Sequence, residues 1–339
     1  MRRASVLAAA AIVAACGGNS RSSSPTGPTG PNDNGGAGFP AGVIAFHASP
    51  IAPNTILWIT PLGGLNPPGH TTPTDHIYFY FANPNIGESP VARRTAFMAP
   101  GDGTVTEIFT GTSIPDVKVF VRVNSTTSYY IDHLIPENAI TRGMTLTAGQ
   151  RLGTTGSSYG VDLGVVNSTL TLGFVNPSRY AQGDSLHADA PLKYYEEPLR
   201  ATLYDKVQRL GSERDGKIDF DVAARLSGNW FVQGGTASLA FVYDTYDPSQ
   251  VRISVTSGFI LSGVFAIAGG ELDPRVVSAA DGKVRYTLMR SITGPNPGTG
   301  GPVGRMLVQM LDDQRIRVEI FGLTEDSADF TTRSWVFTR

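Results

Sequence analysis

The feature that most limits what this chain can fold into is a run of short segments rich in Val, Ile, Phe, Tyr and Thr, each ended by Gly, Pro or Asn. VIAFH (43–47), TILWIT (Thr55–Thr60), HIYFYFA (His76–Ala82), VARRTAFMA (Val91–Ala99), GTVTEIFT (Gly103–Thr110) and DVKVFVRVN (Asp116–Asn124) follow with no helical period between them. DVKVFVRV alternates apolar with polar, as a half-buried antiparallel strand must. A second series follows: KIDFDV, NWFVQG, SLAFVYDTYD, VRISVTS, VRYTLMRSI, GRMLVQML, RIRVEIFG and SWVFTR. Strands at such regular spacing predict an antiparallel barrel or sandwich. Between the two series the period changes. Leu199, Leu203, Val207 and Leu210 fall on one face of Tyr194–Leu210, with Pro198 early and Gly211 after, which predicts one linking amphipathic helix.

Composition agrees with a mainly β, turn-rich protein: 39 glycines and 23 prolines occur without a collagen period. At 339 residues and 41% hydrophobic content the chain can bury two cores. A net charge of −2 with no long basic run gives nucleic acid nothing to bind. No phosphate-binding lysine loop is present, and Gly294–Gly304 reads as a long hairpin loop.

The first residues carry an address. Met1-Arg2-Arg3 and the apolar Ala4–Ala15 form a charged start and a core too short to span a bilayer permanently. This segment ends in Val13-Ala14-Ala15-Cys16-Gly17, and Cys16 is the sole cysteine. The pattern resembles the bacterial lipoprotein signal, which implies cleavage after residue 15, acylation of Cys16 and a place on the cell envelope. Residues 17–40 hold almost no apolar side chain and are expected to be a solvated tether. The expected divisions are therefore signal 1–15, lipidated Cys16 and tether 16–40, a β domain 41–177, linker and helix 178–215, and a barrel-like domain 216–339.

Chemistry concentrates in Gly69–Phe81, GHTTPTDHIYFYF, which packs His70, Asp75 and His76 into seven residues at the mouth of a strand. Imidazole and carboxylate this close together suit a metal or proton-transfer site. Taken singly, each has a plainer reading: His70 follows Pro67-Pro68-Gly69 in a turn, and Asp75-His76 opens a strand. His133 in YYIDHL and Asp162 in GTTGSSYGVDLGVVN are the groups that could join them.

Residues 43–175 resemble the lysostaphin-type zinc endopeptidases, the duplicated-hybrid-motif fold. Four stretches carry the likeness: the His70/Asp75 pair, Ala99-Pro100-Gly101-Asp102-Gly103-Thr104-Val105, Tyr130-Ile131-Asp132-His133-Leu134, and the glycine-spaced turn Gly143–Gly153. The resemblance implies a zinc site closed by a final H-x-H, with His133 assisting catalysis. At those last positions stand Asp162-Leu163-Gly164, so a glycine occupies the place of a ligand, and His70 to Asp75 is one residue too long. The family-type zinc site therefore cannot form. Two expectations stay open. Either His70, Asp75, His76, His133 and Asp162 hold Zn²⁺ in a rearranged site, with His133 and Asp162 catalytic, or they line a non-catalytic surface for cell-wall peptide or an envelope enzyme, with no cofactor. In the second series, Gly228-Asn229-Trp230 and a late Arg339 are similar to the lipocalin-like barrels, which implies a carrier as a third possibility.

Overall fold

The computed structural model describes residues 45–110, 116–180, 183–233, 235–325 and 328–339. Cys16, the signal segment and the tether lie outside the described residues. No helix among those described is long and apolar enough to cross a membrane.

The first half is one ten-stranded antiparallel sheet. Its strands are β1 (Trp58–Thr60), β2 (His76–Tyr80), β3 (Ala96–Met98), β4 (Gly103–Thr110), β5 (Val117–Arg122), β6 (Thr127–Pro136), β7 (Thr145–Leu146), β8 (Arg151–Thr155), β9 (Gly160–Asn167) and β10 (Ala188–Asp189). The main path runs β1-β2-β9-β6-β5-β4-β7, while β10 pairs with β9, and β8 joins β6 to β3. The long central strands β6 and β9 turn one face into the core through apolar residues at alternate positions, Tyr129 and Ile131 on β6 and Val161, Leu163 and Val165 on β9, with Leu134 buried beyond them. They belong to a core that also takes in Phe46, Phe79, Phe97 and Tyr195.

The segment expected to form a helix over Tyr194–Leu210 is helical only at α1 (Leu199–Tyr204), six residues. Beyond Tyr204 the backbone turns to meet the sheet: Ile59 N–H donates to Lys206 O at 2.9 Å and Gln208 N–H to Ile59 O at 3.0 Å. Edge pairing with β1 satisfies those backbone groups as a helix would, so the helix stops. Leu203 and Val207 are buried in the first core, as their spacing implied, while Leu210 is exposed. Two strand expectations also change. The described part of VIAFH, residues 45–47, contributes one bridge, Phe46 with Tyr195, and KIDFDV forms no strand.

The second half closes. Strands β11 (Gly228–Val232), β12 (Ser238–Tyr243), β13 (Val251–Val255), β14 (Gly263–Ile267), β15 (Lys283–Ile292), β16 (Gly298–Asp312), β17 (Arg315–Gly322) and β18 (Trp335–Thr338) form a closed barrel in sequence order. Full closure removes the two exposed edges that an open sheet would carry. The expected long loop over Gly294–Gly304 is mostly strand, since β16 begins at Gly298. Inward positions of the strands supply one core that includes Trp230, Phe241, Tyr286, Met306 and Phe337, so the interior is packed with side chains. Trp230 donates Nε1–H to Leu226 O at 2.8 Å, and the Arg339 guanidinium lies 4.0 Å from its ring centroid. The two ends of the barrel sequence, Trp230 and Arg339, thus meet as a cation–π pair.

The two halves meet at a backbone contact. Leu62 bridges Gly216, whose φ of 79° lies in the left-handed region, and a Cβ at 216 would stand 2.2 Å from Leu62 O. Glycine meets both demands. Thr60 Oγ1 lies 2.6 Å from the Tyr246 hydroxyl, and Thr245 Oγ1 donates to Leu62 O at 2.8 Å. Replacing Trp230 with alanine removes the largest buried side chain of the barrel together with the Arg339 contact. Chemical denaturation of Trp230→Ala is expected to show a loss of about 3–5 kcal/mol.

Candidate functional site

Register brings the site together. β2 pairs with β9 so that His76 faces Gly164 and Tyr78 faces Asp162. β6 pairs with β9 on its other edge so that Tyr130 faces Gly164 and Asp132 faces Asp162. Directly opposed residues of antiparallel strands share a face. His76, Tyr78, Tyr130, Asp132, Asp162 and position 164 are therefore neighbours on one side of three strands.

Gly164 sits at the centre. A Cβ there would stand 2.1 Å from Cζ of Tyr130 and 2.5 Å from its hydroxyl oxygen. The Tyr130 ring takes the volume that a side chain at 164 would need. Its hydroxyl reaches across and donates to Asp75 Oδ1 at 2.7 Å. His76 Nδ1 lies 3.0 Å from the same oxygen and 3.1 Å from the Tyr130 hydroxyl, and Ser185 donates to Asp75 Oδ2 at 2.6 Å. With Nδ1 toward a carboxylate, Nε2 of His76 is left to accept from the Tyr78 hydroxyl at 2.9 Å. His70 stands at the end of a tight turn, bonded to Asn66 through its backbone, with its ring 5.3 Å from that of His76. Burial would raise the Asp75 carboxyl, but the hydrogen bonds from His76, Ser185 and Tyr130 hold it well below the usual range. Burial, then His76, lowers His70 to about 3, so it is neutral at ordinary pH. Burial and then Asp75 push the Tyr130 phenol well above its ordinary value.

The structure joins Asp75 and His76 with Tyr130 and Ser185 in a hydrogen-bonded knot and sets the His70 ring beside it. Zinc in the family arrangement does not fit these residues. Position 164 has no donor, the Tyr130 ring fills its space, Asp75 accepts from three donors, and both His76 nitrogens are engaged.

His133 and Asp162 stand beside the knot. His133 has φ of 67°, outside the strand region, in the middle of β6. The β5–β6 register skips between Val117–Leu134 and Val119–Ile131, a bulge that sets Asp132 and His133 together opposite Lys118. His133 Nδ1 lies 2.9 Å from Asp116 Oδ2, and its Nε2 lies 3.7 Å from Asp162 Oδ2. The same Asp162 oxygen is 3.4 Å from His76 Nε2. Both separations exceed ordinary hydrogen-bond lengths. Carboxylates and imidazoles alternate along the face: Asp116, His133, Asp162, His76, Asp75. Burial opposes a charge on His133, but Asp162, Asp116 and Asp132 outweigh it and raise the imidazole to about 9. Burial raises the Asp162 carboxyl, against the pull of His133 and His76.

Asp116, Asp132, Tyr78 and Ser185 were not singled out by the sequence. Asp132 sits inside YYIDHL, and Asp116 opens a clean strand pattern, so both read as solvated ends; nothing local marks Ser185. Tyr130 was visible as a motif residue, but its role as the occupant of the Gly164 space needs the register.

No protein-family model matches the sequence, and no curated protein matches it. Solved structures do. A zinc containing peptidase from Vibrio cholerae is 19% identical over 37% of this chain and 37% of that chain, with a TM-score of 0.28. Lysostaphin from Staphylococcus simulans is 11% identical over 88% and 92%, with a TM-score of 0.30. The deep-sea metalloprotease pseudoalterin is 15% identical over 46% and 90%, with a TM-score of 0.24. The chain spans little more than a third of the Vibrio peptidase. At these TM-scores the likeness decides nothing about chemistry.

Gly164→His is expected to lower the melting temperature sharply, because its Cβ collides with a ring locked by Asp75. Combining it with Tyr130→Gly is expected to recover part of the loss, a non-additivity read from a double-mutant cycle. For His133, the folded value of about 9 lies above the ordinary 6.5. The stability it contributes is complete below about 6.5 and lost as pH rises through about 9. Wild type is therefore expected to lose its stability advantage over His133→Gln as pH rises through that range, read from denaturation curves at each pH.

Proposed function

We propose that this chain is an envelope lipoprotein, anchored through Cys16, whose first β domain binds cell-wall peptide without cleaving it. The supporting observation is the Tyr130 ring in the space beside Gly164. It closes the position where the resembled peptidases place a metal ligand, and its hydroxyl ties up Asp75. A hydrolytic zinc centre needs three protein ligands and an open fourth position for water. The knot of Asp75, His76, Tyr130 and Ser185 offers neither.

What the face retains is suited to recognition. Tyr78 and Tyr80 follow His76 on the same side of β2, half-buried, and Tyr80 stacks on Trp58 with ring centroids 4.5 Å apart. Flat aromatic surfaces beside carboxylates and imidazoles suit a peptide carrying both apolar and charged groups. The carrier reading is weaker, because Trp230, Phe241, Tyr286 and Phe337 fill the barrel interior.

The test is sedimentation of the full chain with purified peptidoglycan, with and without added Zn²⁺, followed by analysis of the soluble fragments. The expected result is co-sedimentation weakened several-fold in Tyr80→Ala, with no fragments released. Fragment release that a chelator abolishes would replace this reading with a peptidase. Absence of binding to peptidoglycan would remove the cell-wall ligand.

A further inference from the structure

The barrel carries a two-stranded arm that reaches back to the first half. β15 pairs with β14 only over Leu288–Arg290, and β16 pairs with β17 only from Gly304 onward. Past those points the two strands have only each other, Ser291 opposite Thr299 and Ile292 opposite Gly298. Residues 291–303 therefore project from the barrel wall as a ribbon, with Ile292 exposed on it. A ribbon of two strands is marginally stable by itself, and Gly298, Gly300 and Gly301 make this one easy to bend.

The tip of the arm comes to a defined place. A Cβ at Gly294, in the turn of the ribbon, would stand 3.9 Å from Asn85 Nδ2. Asn85 belongs to the short turn Pro84–Ile86 that follows β2, the strand bearing Tyr78 and Tyr80. Asn85 and Ile86 are exposed, so the tip rests on this turn without being buried in it. A separate contact joins the halves further back along the same strand. Thr60, the cross-strand partner of Tyr78, has its Oγ1 2.6 Å from the Tyr246 hydroxyl. In chain order Tyr80 lies between the two contacts. The barrel and its arm thus bracket the aromatic end of the sheet face.

We propose that the β15–β16 arm is a strap that closes over an extended peptide lying along Tyr78 and Tyr80, an inference that rests on the peptide-binding reading of that face. The outer edges of the arm have no neighbouring strand among those described, so a peptide can add to one of them as a further strand. Glycines at 298, 300 and 301 let that peptide approach the backbone closely. Lifting the tip from an exposed asparagine uncovers no core, so the arm opens at little cost. A ligand that touches both the arm and the tyrosines favours the closed form by its extra contacts there.

The test fastens the tip. In the full chain carrying Cys16→Ala, Asn85→Cys and Pro295→Cys are joined by a short bismaleimide, either before or after mixing with purified peptidoglycan, and co-sedimentation is measured. Position 295 is used because Gly294, at φ of 111°, holds a conformation that favours glycine. Linking first is expected to weaken binding about 10-fold or more, since the open form is no longer populated. Linking after mixing is expected to keep the protein in the pellet through washes that release the unlinked chain. A chain with residues 291–300 replaced by Asn-Gly is expected to bind several-fold more weakly at an unchanged melting temperature. Equal binding in both orders of linking, or full binding by the shortened chain, would overturn the strap and leave the peptide reading standing. Absence of binding by the unlinked chain would remove both.

Discussion

A tyrosine ring pressed against a glycine on the neighbouring strand organises the first half of this protein. Tyr130 on β6 fits beside Gly164 on β9 because the glycine has no side chain, and the ring then delivers its hydroxyl to Asp75. The same carboxylate faces His76 Nδ1 and accepts from Ser185, and His76 above all, with Ser185 and Tyr130, holds its pKa well below the usual range. Strands β2 and β6 and the loop before β10 are joined by hydrogen bonds among groups largely shielded from water, which is where such bonds hold most firmly.

Beside this knot the same face keeps a reserve of charge. Asp162 is the hinge between the two regions: one oxygen lies between His76 and His133, and the other has no partner. The hydrogen-bonded side is satisfied internally. On the His133 side, φ of 67° and a skipped register hold side chains that repel one another. Strain of that kind persists where the surrounding structure enforces it, here the pairing of β6 with β5 and β9.

Much of the architecture was legible in the residues. Alternation in DVKVFVRV and the β-branched runs between turns mark the strands, while their regular spacing left barrel and sandwich both open until the pairing of β11 with β18 closed the sheet. Less was legible where pairing overrides local preference. Tyr194–Leu210 has helical periodicity, yet β1 captures its second half because Ile59 offers backbone partners. Gly294–Gly304 has the composition of a loop and becomes strand because β15 continues beside it. The site divided in the same way. His70, Asp75 and His76 were found from their closeness in sequence, and the missing donor at 164 from a motif. Asp116, Asp132 and Ser185 were not, since their roles come from register and a bulge that no spacing rule encodes.

The pairing of residues 130 and 164 also bears on how such a surface could change over generations. A chain with histidine at 164 needs a small residue at 130, and a chain with tyrosine at 130 needs glycine at 164. Stepwise exchange between the two passes through either a collision or a void flanked by an unsatisfied Asp75. Each intermediate folds less well than either end, so drift alone seldom crosses. Once the ring is seated, the contact acts as a ratchet: the sequence is free to vary around it, but not back through it.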